Sequence, residues 1–109
     1  MSEPNPTLRR MLKLTVRARS RDQFEGKNLA DALFELYRSH GIMGATVLQG
    51  VKGYGVRGAA RFEVLGLSAN LPVVVETVGE RQKVEGVLAS VKKMVGANGL
   101  VTVEEVDVF

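Results

Sequence analysis

What most constrains this chain is the order in which its hydrophobic period changes. Over residues 12–18, Leu12, Leu14, Val16 and Ala18 alternate with Lys13, Thr15 and Arg17, the period of two that marks a strand with one buried face. Over 28–40 the spacing becomes three and four. Leu29, Leu33, Leu36 and Tyr37, with Ala30 and Phe34 at the margins, predict an amphipathic helix that Gly41 ends. Extended runs follow at 45–51 and at 71–78, the second built on the β-prone Val73, Val74 and Val75. A second helix is predicted over 80–95, where Val84, Val87, Leu88, Val91 and Val95 oppose Arg81, Lys92 and Lys93, and Gly96 stops it. The valine-rich 100–109 reads as a last strand. Two βαβ units in tandem, with crossovers of the usual hand, fold into a four-stranded antiparallel sheet with both helices on one face. The expected class is therefore α+β, a ferredoxin-like βαββαβ sandwich.

A chain of 109 residues has room for one such unit. Residues 1–10, with two prolines in a polar setting, are expected to be a flexible N-terminal arm, and 11–109 the domain. Cysteine is absent, which excludes disulfides, thiol nucleophiles and cysteine-ligated metal. His40 is the sole histidine and sits near a helix end, where positive charge suits the dipole. No catalytic residue and no metal site is assigned, and the chain is expected not to be an enzyme. No apolar run approaches the roughly 20 residues that span a bilayer, and the N-terminal stretch lacks a signal-peptide apolar region. A cytoplasmic protein, not membrane-embedded, is expected. The net charge of +3 is too mild to require a polyanionic partner.

Two helices cover one face of a four-stranded sheet, so the other face is solvated or meets another chain. On the first strand that face would carry Lys13, Thr15, Arg17 and Arg19, with Glu104, Glu105 and Asp107 of the last strand available for cross-strand pairing. Both alternating sets of the third strand contain valine, Val73 and Val75 against Val74 and Val78, which predicts burial on both faces and hence association. Between the second and third strands, residues 52–70 far exceed a hairpin turn, and long connections held by a rigid sheet tend to carry binding. Gly53, Gly55 and Gly58 would allow positive φ and a phosphate-binding nest of backbone N–H groups.

The runs 44–50 (GATVLQG), 51–55 (VKGYG), 71–76 (LPVVVE) and 99–104 (GLVTVE), with Glu25-Gly26-Lys27 leading into the first helix, together resemble an uncharacterised PII-like family within the nitrogen-regulatory PII superfamily. The resemblance implies a homotrimer that binds a small effector, an adenine nucleotide as candidate, between subunits. It also implies regulation, through the loop 52–70, of a partner protein such as a transporter or an enzyme. Carried over, the ligand-binding residues are Gly53, Tyr54, Gly55 and Arg57 at the loop base, with Gly96, Asn98 and Gly99 in the turn after the second helix. Val56, Arg57, Arg61 and Phe62 would form the partner-binding part of the loop. The turn 96–100 (GANGL) lacks the aspartate and lysine that archetypal PII regulators use for phosphates, the chain closes at Phe109 without their C-terminal arginines, and Tyr54 stands at the loop base rather than at a modified tip.

Two other functions share this topology. An RNA-binding module is the first, because Lys52-Gly53-Tyr54-Gly55 matches the opening of the RNA-recognition signature; the continuation Val56-Arg57-Gly58-Ala59 supplies none of its stacking aromatics. A small acylphosphatase-like enzyme is the second, supported by fold alone.

Overall fold

The computed structural model describes residues 7–55 and 70–109, together with the backbone of 58–61. Its elements are β1 (Arg9–Arg19), β2 (Gln23–Phe24), β3 (Lys27–Asn28), α1 (Leu29–Ser39), β4 (Ala45–Gln49), β5 (Lys52–Gly55), β6 (Gly58–Arg61), β7 (Pro72–Gly79), α2 (Arg81–Glu85), α3 (Leu88–Val95), a 3₁₀ turn (Gly96–Asn98) and β8 (Leu100–Val108). The main sheet runs β4-β7-β1-β8, and every pairing in it is antiparallel. The α+β, ferredoxin-like sandwich predicted from periodicity is the fold observed.

β1 is the axis. It pairs from Leu12↔Gly79 to Arg19↔Pro72 with β7 and from Arg9↔Val108 to Arg17↔Leu100 with β8. Pairing at Arg9 and Arg10 means that the strand begins inside the segment expected as arm. On the helix side, Leu12, Leu14 and Val16 of β1 and Val73 and Val75 of β7 are buried. They pack with Leu29, Leu33 and Tyr37 of α1 and with Val84, Val87, Val91 and Val95 of the second helical segment. Leu29, Leu33 and Tyr37 recur every four residues, so one stripe of α1 faces the sheet. Asn28 fixes the start of α1: its Oδ1 accepts from the Asp31 N–H at 3.2 Å while its Nδ2 donates to the Ser20 carbonyl at 3.1 Å.

The second helix is not continuous. Gly86, a weak helix former, and β-branched Val87 form a tight turn in which the Val87 N–H donates to the Val84 carbonyl at 3.1 Å, three residues back. The valine stripe survives because the turn advances the chain by about one helical step, so Val84, Val87, Val91 and Val95 still share the core side.

The uncovered face of the sheet is mixed. Val74 is half-buried and Val78 exposed, so the second valine set of β7 is only partly covered within one chain. Leu48 and Leu100 flank Val74 and Arg17 at one end of this face and are 52% and 56% exposed. Lys13 lies between Glu76 at 3.8 Å and Glu104 at 3.7 Å. Alternation along β8 splits its acidic residues between the two faces, and the cross-strand pairing expected of them is made on both. Asp107 is directly opposite Arg10, and the carboxylates of Glu105 and Asp107 bond Arg10 at 2.9 Å on the helix side, where Glu105 also meets Arg81. Hydrogen bonds from Arg10 hold the Glu105 carboxyl below the usual range.

Tyr37 carries the one buried side-chain polar atom left unsatisfied among the described residues: its hydroxyl has no hydrogen-bond partner. Burial raises its pKa above the ordinary 10.0. The substitution Tyr37→Phe removes a desolvated hydroxyl and should raise stability by about 1–2 kcal/mol in urea denaturation. The gap between parent and variant should change sharply in alkali. The unfolded tyrosine ionises near pH 10.0 while the folded one stays neutral, so the parent loses stability as pH rises through that value and the phenylalanine variant does not.

Candidate functional site

At the end of the sheet where β1 finishes and β7 and β8 begin, a cleft of about 440 Å³ opens. It is lined by Lys52, Gly53, Tyr54 and Gly55 of β5, by Ala97, Asn98, Gly99 and Leu100 after α3, by Arg17, Ala18 and Arg19 of β1, and by Pro72, Val73 and Val74 of β7. The structure thus brings together Gly53, Tyr54, Gly55, Asn98 and Gly99 of the residues singled out in the sequence. Gly96 stands just before the cleft lining. Its φ of +64° supplies the left-handed step that turns the chain out of α3, so its role is to place Asn98 and Gly99.

The residues around the cleft are held by short connections. Gly50 donates its N–H to the Pro72 carbonyl at 2.8 Å, which turns the chain from β4 into β5, and Ser20 N–H donates to the Leu71 carbonyl at 2.8 Å, which ties the end of β1 to the start of β7. β5 pairs with β6 from Lys52↔Arg61 to Gly55↔Gly58, so the first part of the connection is a two-stranded ribbon. The side chain of Tyr54 is 92% exposed on that ribbon.

Two readings of the glycines change. Gly53 and Gly55 do not take positive φ; both are extended strand residues, so the backbone nest expected there is not formed by them. Space explains Gly53: a Cβ there would lie 3.1 Å from the Pro72 Cγ. At Gly99 the constraint is severe, because a Cβ would meet the Val95 Cγ1 at 2.5 Å and the Arg17 carbonyl oxygen at 2.8 Å. Glycine at 99 is what lets the turn after α3 lie against β1. Val56, Arg57, Phe62 and the side chain of Arg61, assigned to ligand and partner contact, lie outside the described residues.

Arg17 is the cleft residue that the sequence pattern passed over, since it reads there as one more charge on a strand face. The register supplies the missing signal. With β8 against β1, the carboxylates at 104, 105 and 107 fall beside Lys13, Leu12 and Arg10, whereas Arg17 falls beside Leu100.

The Lys52-Gly53-Tyr54-Gly55 segment belongs to the ribbon and not to the four-stranded sheet, where the RNA-recognition fold presents its stacking aromatics. Among the described residues there is no group of three or more histidine, aspartate or glutamate side chains placed to hold a metal, and no helix is long and apolar enough to cross a membrane.

The fold is a PII-like α+β fold. In architecture the chain is similar to CPII, a nitrogen regulatory PII-like protein from Thiomonas intermedia K12 bound to ADP, AMP and bicarbonate, with a TM-score of 0.73 at 16% identity, covering 94% of this chain and 91% of that one. A candidate PII-like signalling protein of Thermus thermophilus superposes with a TM-score of 0.66 at 20% identity, covering 93% and 91%. The chain belongs to the DUF190 family, described as Uncharacterized ACR, whose profile matches residues 11–108. Two UPF0166 proteins are similar in sequence. One from Methanocaldococcus jannaschii is 36% identical over 96 residues, 88% of this chain and 89% of its own length. One from Aquifex aeolicus is 36% identical over 89 residues, 81% and 83% respectively.

Replacing Gly99 by alanine tests how the cleft is built. Neither Val95 nor the β1 backbone can retreat without disturbing the core, so Gly99→Ala should cost about 1–3 kcal/mol in urea denaturation. Alanine at Gly55, whose Cβ would enter open space, should cost far less.

Proposed function

We propose that this chain is a PII-like regulatory protein that binds an adenine nucleotide in the cleft between the β5 ribbon and the turn after α3, with a neighbouring subunit of a homotrimer closing the site. The observation that carries this reading is the convergence of Gly53, Tyr54 and Gly55 with Ala97, Asn98 and Gly99, which lie more than forty positions apart in the chain, on one cleft. An exposed aromatic at its rim is suited to stack on a base, and the volume lies within the usual range for small-molecule sites. Leu48, Val74 and Leu100 on the uncovered sheet face next to the cleft support subunit contact there, since grouped apolar side chains favour burial against a partner. The ADP and AMP bound by CPII support the ligand class.

In this reading the ribbon and the rest of the connection 52–70 report ligand occupancy to a partner protein. The chain's part is binding and conformation, with no bond made or broken. Ligand affects the partner only insofar as it binds two states of the connection unequally.

Calorimetric titration with ADP should give one site per chain, and light scattering should report three chains per particle. At about 100 times the dissociation constant, ADP should stabilise the fold by roughly 2.7 kcal/mol. Gly53→Val fills the space between β5 and Pro72 and should abolish the ADP heat while the particle mass stays the same. A monomer, or equal ADP affinity in parent and variant, would sink the reading.

A further inference from the structure

Ion pairs among the described residues gather at the end of the sheet away from the cleft. Away from the cleft, Arg9 meets Glu80 at 3.5 Å, Arg10 meets Glu105 and Asp107, Lys13 sits between two glutamates, and Arg81 meets Glu85 and Glu105. At the cleft, the described lining contains Arg17, Arg19 and Lys52 and neither aspartate nor glutamate. Arg17 and Lys52 are exposed, and neither makes an ion pair among the described residues. Arg17 stands between Val74 and Leu100 on the sheet, so its guanidinium has apolar neighbours across both strands rather than a carboxylate. Exposed cations such as Arg17 and Lys52 lining a cleft raise the local concentration of anions there. A guanidinium offers paired donors that fit a phosphate, and a lysine adds a point charge.

We propose that Arg17 and Lys52 hold the phosphate groups of the cleft ligand, from β1 and β5 respectively, so that the site takes phosphorylated nucleotides in preference to nucleosides. This rests on the nucleotide reading above. It moves the phosphate contacts away from the turn after α3, whose sequence 96–100 (GANGL) carries no charged side chain, and onto the strands. The turn then contributes backbone and the Asn98 amide, while the cations decide how many phosphates are favoured.

The test compares ADP, adenosine and pyrophosphate on the full chain and on Arg17→Gln, Lys52→Gln and the double variant, by calorimetry with light scattering alongside. Each single change should weaken ADP about tenfold, as loss of one charge-assisted contact does, and leave adenosine affinity unaltered. Pyrophosphate should displace ADP from the parent and fail to bind the double variant. ADP bound equally by parent and variants overturns the cation pair and leaves the nucleotide reading standing. Pyrophosphate bound by the parent and lost in the variants, with no binding of ADP or adenosine, supports the pair and overturns the nucleotide reading. A particle mass altered by Arg17→Gln would assign that side chain to subunit contact and overturn its role here.

Discussion

The architecture depends on β1 being paired along both edges at once. Its backbone pairs with β7 and β8 at once from Leu12 to Arg17 and with one of them over the rest of the strand, so each side chain has a fixed face and fixed neighbours. Slipping either register by one residue would turn Leu14 and Val16 to the open side and bring Lys13, Thr15 and Arg17 against α1 and the second helix. The core tolerates no such exchange, since Leu14, Val16, Leu33 and Val91 are fully buried. Burial on one side of β1 therefore determines the chemistry displayed on the other.

That single register also distributes the charges. Arg10 and Lys13, three residues apart on β1, look to opposite faces, and each finds carboxylates on β8 because β8 has acidic residues at 104, 105 and 107. Farther along, β8 begins with Leu100, so Arg17 has no acidic neighbour there. These exposed pairs add little stability individually, since solvent and salt screen them. Their larger effect is arrangement: the carboxylates of β8 are taken up by cations at the end of β1 away from the cleft.

The fold was legible because the elements with the clearest periods are also the ones that are buried on one side. Alternation over residues 12–18 and the four-residue recurrence of Leu29, Leu33 and Tyr37 map directly onto the sheet and helix faces that form the core. The break at Gly86 was hidden because Val84, Val87, Val91 and Val95 keep a helical stripe across it. The cleft was legible in part, through Gly53 to Gly55 and the turn at 96–99. What stayed hidden there was the physical role of the glycines, which depends on how near other chain segments come. Gly99 exists for its contact with Val95 and Arg17, and Gly53 for its closeness to Pro72; neither neighbour is adjacent in sequence. Arg17 was hidden for the same reason, because its environment is a matter of register.

Pro72 joins these strands of argument. It receives the Gly50 N–H, packs beside Gly50 and Gly53, opens β7 opposite Arg19, and lines the cleft. A proline has no N–H to give, so it fits at the start of a strand, where only its carbonyl and ring are used. The turn into the β5 ribbon thus rests on the same residue that borders the cleft, and Gly53 belongs to the ribbon and to the cleft wall at once. In the proposed reading a ligand seated against Gly53 would touch the ribbon itself, and no relay through the core would be needed to carry its presence there. Coupling of this kind is set by contacts at one strand, so its strength depends on whether those contacts differ between positions of the ribbon, and the well-packed helices need not move at all.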